Sequence, residues 1–262
     1  MKMVLSMAMA LGMASLAPAA SVVAVDAYCG AACGGSNSSA AFDVIGKLRS
    51  FDINYVSVTS TGLNVEVIVR MNYGANGGDT TLAPITVGSF PAVNPGDVLL
   101  SNGANLWAIP LISHSNSGPG GGGMTFGNLY SVSSFLTAST VLNNPSGGIY
   151  RPTENVWGNS TSAVKRNNGA GTRGVILAPG SLNPYEIEVK INFALLSNAA
   201  STAFLNALGD SNTLLHFASA TCGNDVVDGS PQGDPSVPEP ASLALMGAGL
   251  LGLGIFGRKR LA

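Results

Sequence analysis

Charged side chains are scarce in this 262-residue chain: aspartate, glutamate, lysine and arginine make up 10% of it, and it has two histidines and three cysteines. Two histidines leave little scope for sites built on histidine, a common general base and metal ligand. Four of the twelve basic residues are terminal, at Lys2, Arg258, Lys259 and Arg260, which leaves the body eight basic against fourteen acidic residues, a balance of −6. Phosphate binding requires clustered lysine and arginine. We therefore expect no nucleic-acid partner.

The body is rich instead in glycine, with 34 residues in the whole chain, and in segments where apolar and polar residues alternate. Residues 63–72 and 185–194 alternate with a period of two, which is typical of a strand with one buried face. Residues 51–59 precede the first of these segments across Ser60-Thr61-Gly62, which predicts an antiparallel hairpin. Weaker signals predict further strands at 85–90, 98–109, 129–142, 150–157, 174–177 and 214–220.

One helix interrupts this pattern. Residues 198–208 are rich in alanine, begin with capping residues and end at Gly209. We interpret this helix as a connector. The sequence therefore predicts a mostly β body over residues 25–222, an antiparallel β-sandwich of jelly-roll type with one short helix.

The first 24 residues have the parts of a secretory signal peptide. A positive charge at Lys2 precedes an apolar stretch over residues 3–16, which is shorter than the roughly 20 residues of a membrane span. Ala17 and Ala19 place small residues at the two positions that signal peptidase inspects, so cleavage after Ala19 fits. Cleavage after Ala24 fits nearly as well. We expect a helical signal peptide over residues 1–24 and export of the remainder.

The carboxy-terminal region combines three elements in order. Two prolines flank Glu239 in Pro238-Glu239-Pro240 and hold it in an extended, accessible backbone. The uncharged residues 241–257 would span about 25 Å as a helix, just enough to cross the hydrocarbon core. The basic cluster Arg258-Lys259-Arg260 should stay cytoplasmic and so place the body outside the inner membrane. We predict a flexible linker at 223–236, a sorting segment at 237–262 and a transmembrane helix at 241–257.

This tail resembles the PEP-CTERM sorting signal of Gram-negative bacteria, and the resemblance covers about a tenth of the chain. It implies processing at or near Pro238-Glu239-Pro240 by an exosortase, a membrane enzyme, and a link to exopolysaccharide production. The precursor would be anchored transiently in the inner membrane after signal peptidase has acted. The product would then lie at the cell surface or outside the cell. The alternative is an ordinary tail anchor in which the prolines form a linker.

Cys29, Cys33 and Cys222 are an odd set of cysteines in a chain bound for a compartment that permits disulfides. An odd number predicts one bridge and one free thiol. A bridge from Cys222 to Cys29 or Cys33 would join the two ends of the body, and Cys29 with Cys33 is the competing pair. Cys29 and Cys33 alone fall below the four ligands of a structural zinc site, unless Cys222 and a distant histidine converge on them. We expect no metal and no cofactor.

Two histidines and one short motif are the sequence's candidates for catalysis. His216 stands between Leu215 and Phe217, which predicts a hydrogen-bonded strand histidine, and His114 stands between two serines, which predicts a loop residue. The motif Gly209-Asp210-Ser211 resembles an esterase nucleophile motif but lacks a later Asp-x-x-His. We assign no catalytic residue from these patterns.

Asp225, Asp228 and Asp234 lack the alternating spacing of a calcium-binding loop, which favours a solvated acidic linker. We therefore expect a non-catalytic surface or matrix protein with a structural or adhesive role. One alternative is a secreted hydrolase that acts on polysaccharide, which would need two carboxylates in one groove. The acidic residues near predicted strands are Glu66, Asp97, Glu186 and Glu188. The other alternative, a carbohydrate- or ice-binding module, would need rows of threonines or exposed aromatics.

Overall fold

The strands and helices follow the alternating pattern of the sequence. The structure is a computed structural model that describes residues 20–26, 48–75, 77–87, 90–120, 123–143, 151, 153–177, 185–221 and 224–231. Its strands are β1 Ala20–Val25, β2 Ile53–Thr61, β3 Asn64–Asn72, β4 Ile85–Val87, β5 Phe90–Val93, β6 Asp97–Asn102, β7 Asn105–Pro110, β8 His114–Ser115, β9 Gly118–Pro119, β10 Tyr130–Val132, β11 Phe135–Thr137, β12 Asn155–Gly158, β13 Val164–Lys165, β14 Asn167–Leu177, β15 Glu186–Leu195, β16 Leu214–Ala218 and β17 Val226–Gly229. Its helices are α1 Leu48–Phe51, α2 Ala138–Val141 and α3 Ala199–Leu208.

One antiparallel sheet has the strand order β1-β2-β3-β15-β14. β2 and β3 form the predicted hairpin, and its turn contains Gly62 with φ of +60°, a backbone region that glycine enters without steric cost. β15 pairs with the other side of β3, with Glu188 opposite Arg70. The alternating apolar residues of β3 and β15 are buried, as predicted: Val65, Val67, Val69, Met71, Ile187, Val189, Ile191 and Phe193.

The second large sheet has the order β13-β10-β7-β6-β16-β17 and is also antiparallel. The single strand predicted at 98–109 is two strands, β6 and β7, because Gly103 with φ of +58° turns the chain between them. At one side of this sheet, Ser230 forms an isolated bridge with Val23 of β1. The first and last strands of the described body are therefore neighbours, although they belong to different sheets.

Both sheets contribute to one hydrophobic core, which includes Val67, Val98, Phe217 and Phe204. The α3 helix adds Phe204, whose ring packs edge-on against Trp107 with 5.5 Å between the centroids. These observations confirm a mostly β, antiparallel body. The β-sandwich and its jelly-roll strand order stay predictions.

A further layer covers the other face of the six-stranded sheet. Leu99 and Ala108 alternate with core residues along β6 and β7 and form a second cluster with Met124, Tyr130 and Val132. The hairpin-like pair β11 and β12, with α2, lies next to this face. An added Cβ at Gly158 of β12 would lie 2.5 Å from Cβ of Ala108. We call the segment formed by β11, α2 and β12 the outer layer.

Several predicted boundaries are wrong. Residues 129–142 are predicted as one strand, but they contain two short strands, β10 and β11, and the helix α2. The strand predicted at 150–157 corresponds to the shorter β12. β17 lies inside the linker predicted at 223–236, because it pairs with β16 and buries Val227, so the body continues to Pro231. β1 likewise occupies residues 20–24 of the predicted signal peptide. In the described ranges, no helix has the length and apolarity needed to cross a membrane, and the predicted signal and transmembrane helices lie outside those ranges apart from residues 20–24.

Candidate functional sites

A buried pair of opposite charges lies at the start of β6. Nε2 of His114 lies 3.1 Å from both carboxylate oxygens of Asp97, and neither side chain is exposed. The imidazole stacks on the indole of Trp157, with ring centroids 4.1 Å apart and planes 14° apart. The Asp97 carboxylate also accepts a hydrogen bond from the Gly158 amide at 2.9 Å. Asp97 therefore connects β6, the short β8 strand and the outer layer.

The charge of this pair follows from its surroundings. Burial lowers the pKa of His114, but the Coulomb attraction of Asp97 and its hydrogen bonds outweigh burial, and the Ser115 backbone adds a smaller effect, so the pKa is raised above 6.5. Nδ1 makes no hydrogen bond of good geometry. The prediction that His114 is a loop residue is wrong, because Asp97 and Trp157 hold it in the interior. Neither side chain of the pair reaches the surface.

A polar network holds the turn after His114 to the residues after β12. The side-chain amide of Asn116 donates to Oδ1 of Asn159 at 2.7 Å and to Oγ1 of Thr161 at 2.9 Å. Its carbonyl oxygen accepts from the amide and the hydroxyl of Ser160 at 2.6 and 2.7 Å. One asparagine thus fixes two turns that are 44 residues apart. No sequence signal marks Asn116, since its partners are ordinary turn residues.

The second histidine contacts the outer layer from the neighbouring strand. His216 of β16 lies with Nδ1 2.8 Å from Oδ1 of Asp228 and with Nε2 2.8 Å from the Asn155 carbonyl oxygen, while Oε1 of Glu154 is 3.5 Å away. Both ring nitrogens face acceptors, and only the imidazolium can donate to both. Burial lowers the pKa of His216, but the hydrogen bond and the charge of Asp228 raise it by more than burial lowers it. The pKa of His216 therefore lies above 6.5. The predicted hydrogen-bonded strand histidine is confirmed.

Three carboxylates meet where the first and last strands are adjacent. Carboxylate oxygens of Asp26, Asp52 and Asp225 lie within 4.8 Å of one another. Asp225 has no exposed surface and accepts hydrogen bonds from the amides of Ile53 at 2.6 Å and Val226 at 2.9 Å. Asp26 and Asp52 make further interactions. Grouped oxygen ligands suit hard divalent cations, but carboxylates cluster often without an ion. The prediction that Asp225 belongs to a solvated linker is wrong, because its side chain is buried and accepts a hydrogen bond from the Ile53 amide, 172 residues away in sequence.

The remaining strand carboxylates are partly balanced by basic neighbours. Glu188 accepts a hydrogen bond from Nε of Arg70 at 2.8 Å, and Glu66 forms an ion pair with Lys190. Both pairs cross between β3 and β15. Asp97 lies elsewhere, in its buried pair with His114. Of the carboxylates that a hydrolase could use, Glu66 and Glu188 therefore lie in ion pairs on one sheet, and Asp97 lies in the interior.

The Gly209-Asp210-Ser211 motif follows α3. Oδ1 of Asp210 accepts hydrogen bonds from the Asn212 amide and side chain, each at 2.9 Å. A hydrogen bond from Asn102, followed by those from Asn212, lowers the pKa of Asp210. Asp210 thus stabilises the turn that leads into β16.

The residues predicted for sorting and for a disulfide lie outside the described ranges. They are Pro238, Glu239, Pro240, Arg258, Lys259, Arg260, Cys29, Cys33 and Cys222. A comparison with protein families does cover the tail: residues 236–260 match the PEP-CTERM protein-sorting motif. The chain carries a PEP-CTERM sorting motif. This motif indicates an extracellular protein that exosortase sorts. Searches of curated proteins and of solved structures gave no match.

Proposed function

We propose that the protein is exported by its signal peptide, held at the inner membrane by its tail, and released by exosortase into the cell surface or extracellular matrix. The observation that carries this proposal is the PEP-CTERM motif at residues 236–260, which begins within five residues of Pro231, the last residue of the body. The apolar run 241–257 and the basic cluster after it give a membrane-retained precursor with the body outside.

The body itself has a non-catalytic structural or adhesive role in the exopolysaccharide layer. Three features of the described residues support this role. Both histidines pair with carboxylates, and His114 is inaccessible to substrate. Two surface glutamates lie in cross-strand ion pairs, which disfavour the paired free carboxylates of a glycosidase. The third feature is composition: charged residues make up only 10% of the chain and glycine is abundant, which suits a surface that makes many weak contacts with a polymer.

Replacement of Pro238-Glu239-Pro240 by three alanines in the native host tests the sorting step. We expect the variant to remain in the membrane fraction at its precursor mass, while the wild-type protein is shorter and lies at the surface or outside the cell. A matched control replaces Gln232, Gly233 and Asp234 by alanines, which leaves the motif intact. Unchanged processing of the motif variant would refute the sorting proposal.

A second experiment tests the role of the body. The released protein is mixed with purified exopolysaccharide from the host, and both co-sedimentation and newly formed reducing ends are measured. We expect co-sedimentation without release of reducing ends. Steady release of reducing ends would instead establish a hydrolase, and absence of co-sedimentation would contradict an adhesive role.

A further inference from the structure

We infer that signal peptidase cleaves the Ala19–Ala20 bond, so that the mature protein begins at Ala20. The inference rests on the proposed export of the chain, and it chooses between two sites that the sequence leaves open. Water adds across the bond: the hydroxyl joins the Ala19 carbonyl carbon to give a carboxylic acid, and the hydrogen goes to the Ala20 nitrogen to give an amine. No cofactor is consumed. The choice follows from three features of β1.

β1 begins at Ala20 and is paired along its whole length. Its register with β2 runs from Ala20 opposite Ser60 to Val25 opposite Tyr55. Cleavage after Ala24 would remove five of the six strand residues. The five-stranded sheet would then end at β2, with an unpaired row of backbone donors and acceptors along it.

β1 also belongs to the hydrophobic core. Val22 and Ala24 are 0% and 1% exposed and lie in the cluster shared by the two large sheets. The α3 helix lies against β1 as well as β2. Removal of these residues would open the core at the point where α3 covers it. A mature chain that began at Val25 would lack the terminal strand of the five-stranded sheet and two residues of the shared core.

The end of the body is fitted to β1. Ser230 bridges to Val23, and Gly229 lies so close to β1 that an added Cβ would be 2.4 Å from the Val23 carbonyl oxygen and 2.7 Å from Cβ of Ala24. Real Cβ atoms do not approach backbone this closely. Only glycine fits at position 229 while Val23 and Ala24 lie beside it. This close contact can form only in a mature chain that keeps both Val23 and Ala24.

The bond before Ala20 also meets the chemistry of signal peptidase, which requires small residues at the first and third positions before the cut. Ala19 and Ala17 occupy those positions. Cleavage after Ala24 would place the larger, β-branched Val22 at the third position. The bond before Ala20 thus meets the sequence requirement, and the packing of β1 selects it over the bond after Ala24.

Intact-mass measurement and amino-terminal sequencing of the exported protein from the native host test this inference. We expect a single amino terminus at Ala20. A terminus at Val25, or at any residue other than Ala20 within the first 30, would overturn the inference and leave export intact. Retention of Met1 in the exported protein would likewise overturn the inference, whereas a chain that is found only inside the cells would overturn the proposed export itself, so the two failures are distinguishable.

Two full-length variants sharpen the test. Ala19→Phe places a bulky residue at the inspected position, and we expect the species that begins at Ala20 to be lost and the precursor to accumulate. Ala24→Val is the matched control, since it blocks the competing site; because the larger side chain overpacks the core, its amino terminus is read on newly exported protein, and we expect it to stay at Ala20. Normal processing of Ala19→Phe, or a block of processing by Ala24→Val, would contradict the assignment.

Discussion

The buried contact between Asp97 and His114 makes a quantitative prediction for Asp97→Asn. The substitution keeps the size of the side chain and an oxygen for the Gly158 amide, but it removes the charge that faces Nε2 of His114. Hydrogen bonds to charged groups contribute about 1.5–3 kcal/mol, so we expect the variant to lose about 2 kcal/mol of unfolding free energy at pH 5.5. For a body of about two hundred residues, this loss lowers the melting temperature by about 4–8 °C.

The loss should depend on pH with a definite sign. The folded-state pKa of His114 lies above its unfolded value of about 6.5. The stabilisation from its charge is therefore complete below pH 6.5 and is lost as the pH rises through the folded-state pKa. Neutral His114 still donates from Nε2, so at pH 9 we expect the difference between wild type and variant to fall below about 1 kcal/mol.

The assay is thermal or urea unfolding of the processed protein, followed by near-ultraviolet circular dichroism at pH 5.5 and pH 9. His216 titrates in both proteins and so cancels in the difference. Asp97→Ala is the second variant: it also leaves the Gly158 amide without its partner, and we expect a loss of about 3–5 kcal/mol, the range for breaking a buried pair. A difference between wild type and Asp97→Asn that is equal at the two pH values would refute the assigned charge of His114.

Three further predictions concern the end of the body. Asp228→Asn should lower the free energy of unfolding by at most about 1 kcal/mol at pH 5.5, and by less in high salt, because Asp228 is 75% exposed and solvent screens its pairing with His216. A larger loss in urea unfolding would contradict this prediction. Gly229→Ala should lower stability by about 1–3 kcal/mol through overpacking, whereas Gly174→Ala, where an added Cβ meets nothing within 4 Å, should change the melting temperature little. Non-reducing peptide mass mapping should find Cys222 bridged to one of the two amino-terminal cysteines, and its presence only as a free thiol would exclude that pairing.

The local parts of the fold could be predicted because their causes are local. Residues 63–72 and 185–194 alternate in sequence and are β3 and β15 in the structure. The connecting helix begins where predicted, since Oδ1 of Asn198 accepts from the Ser201 amide at 3.0 Å, and it ends at Gly209. Each of these signals lies within about ten residues of the element that it specifies.

The partners of the buried polar residues could not be predicted, because they are distant in sequence. Asp225 accepts from an amide 172 residues away, and His114 pairs with Asp97 across the β6–β7 hairpin. The glycine- and aspartate-rich composition after Cys222 indicates a spacer, yet pairing with β16 and Val23 makes a strand of Val226–Gly229. Val226 and Val227 have the β propensity of strand residues, but Asp228 and Gly229 do not, and this four-residue segment forms a strand because β16 pairs with it.

The position of β17 also has a mechanical consequence. A pull through the tail would reach the body at Ser230 and load β17 from its end, where Gly229 is opposite Leu215 and Asp228 is opposite His216. When the pull is directed away from β16, the backbone hydrogen bonds of this antiparallel pair would break one after another and would not resist together. The His216–Asp228 contact would be the first side-chain pair to bear the force. A tethered molecule would therefore yield from its last strand inward, and would yield more easily once His216 has lost its proton.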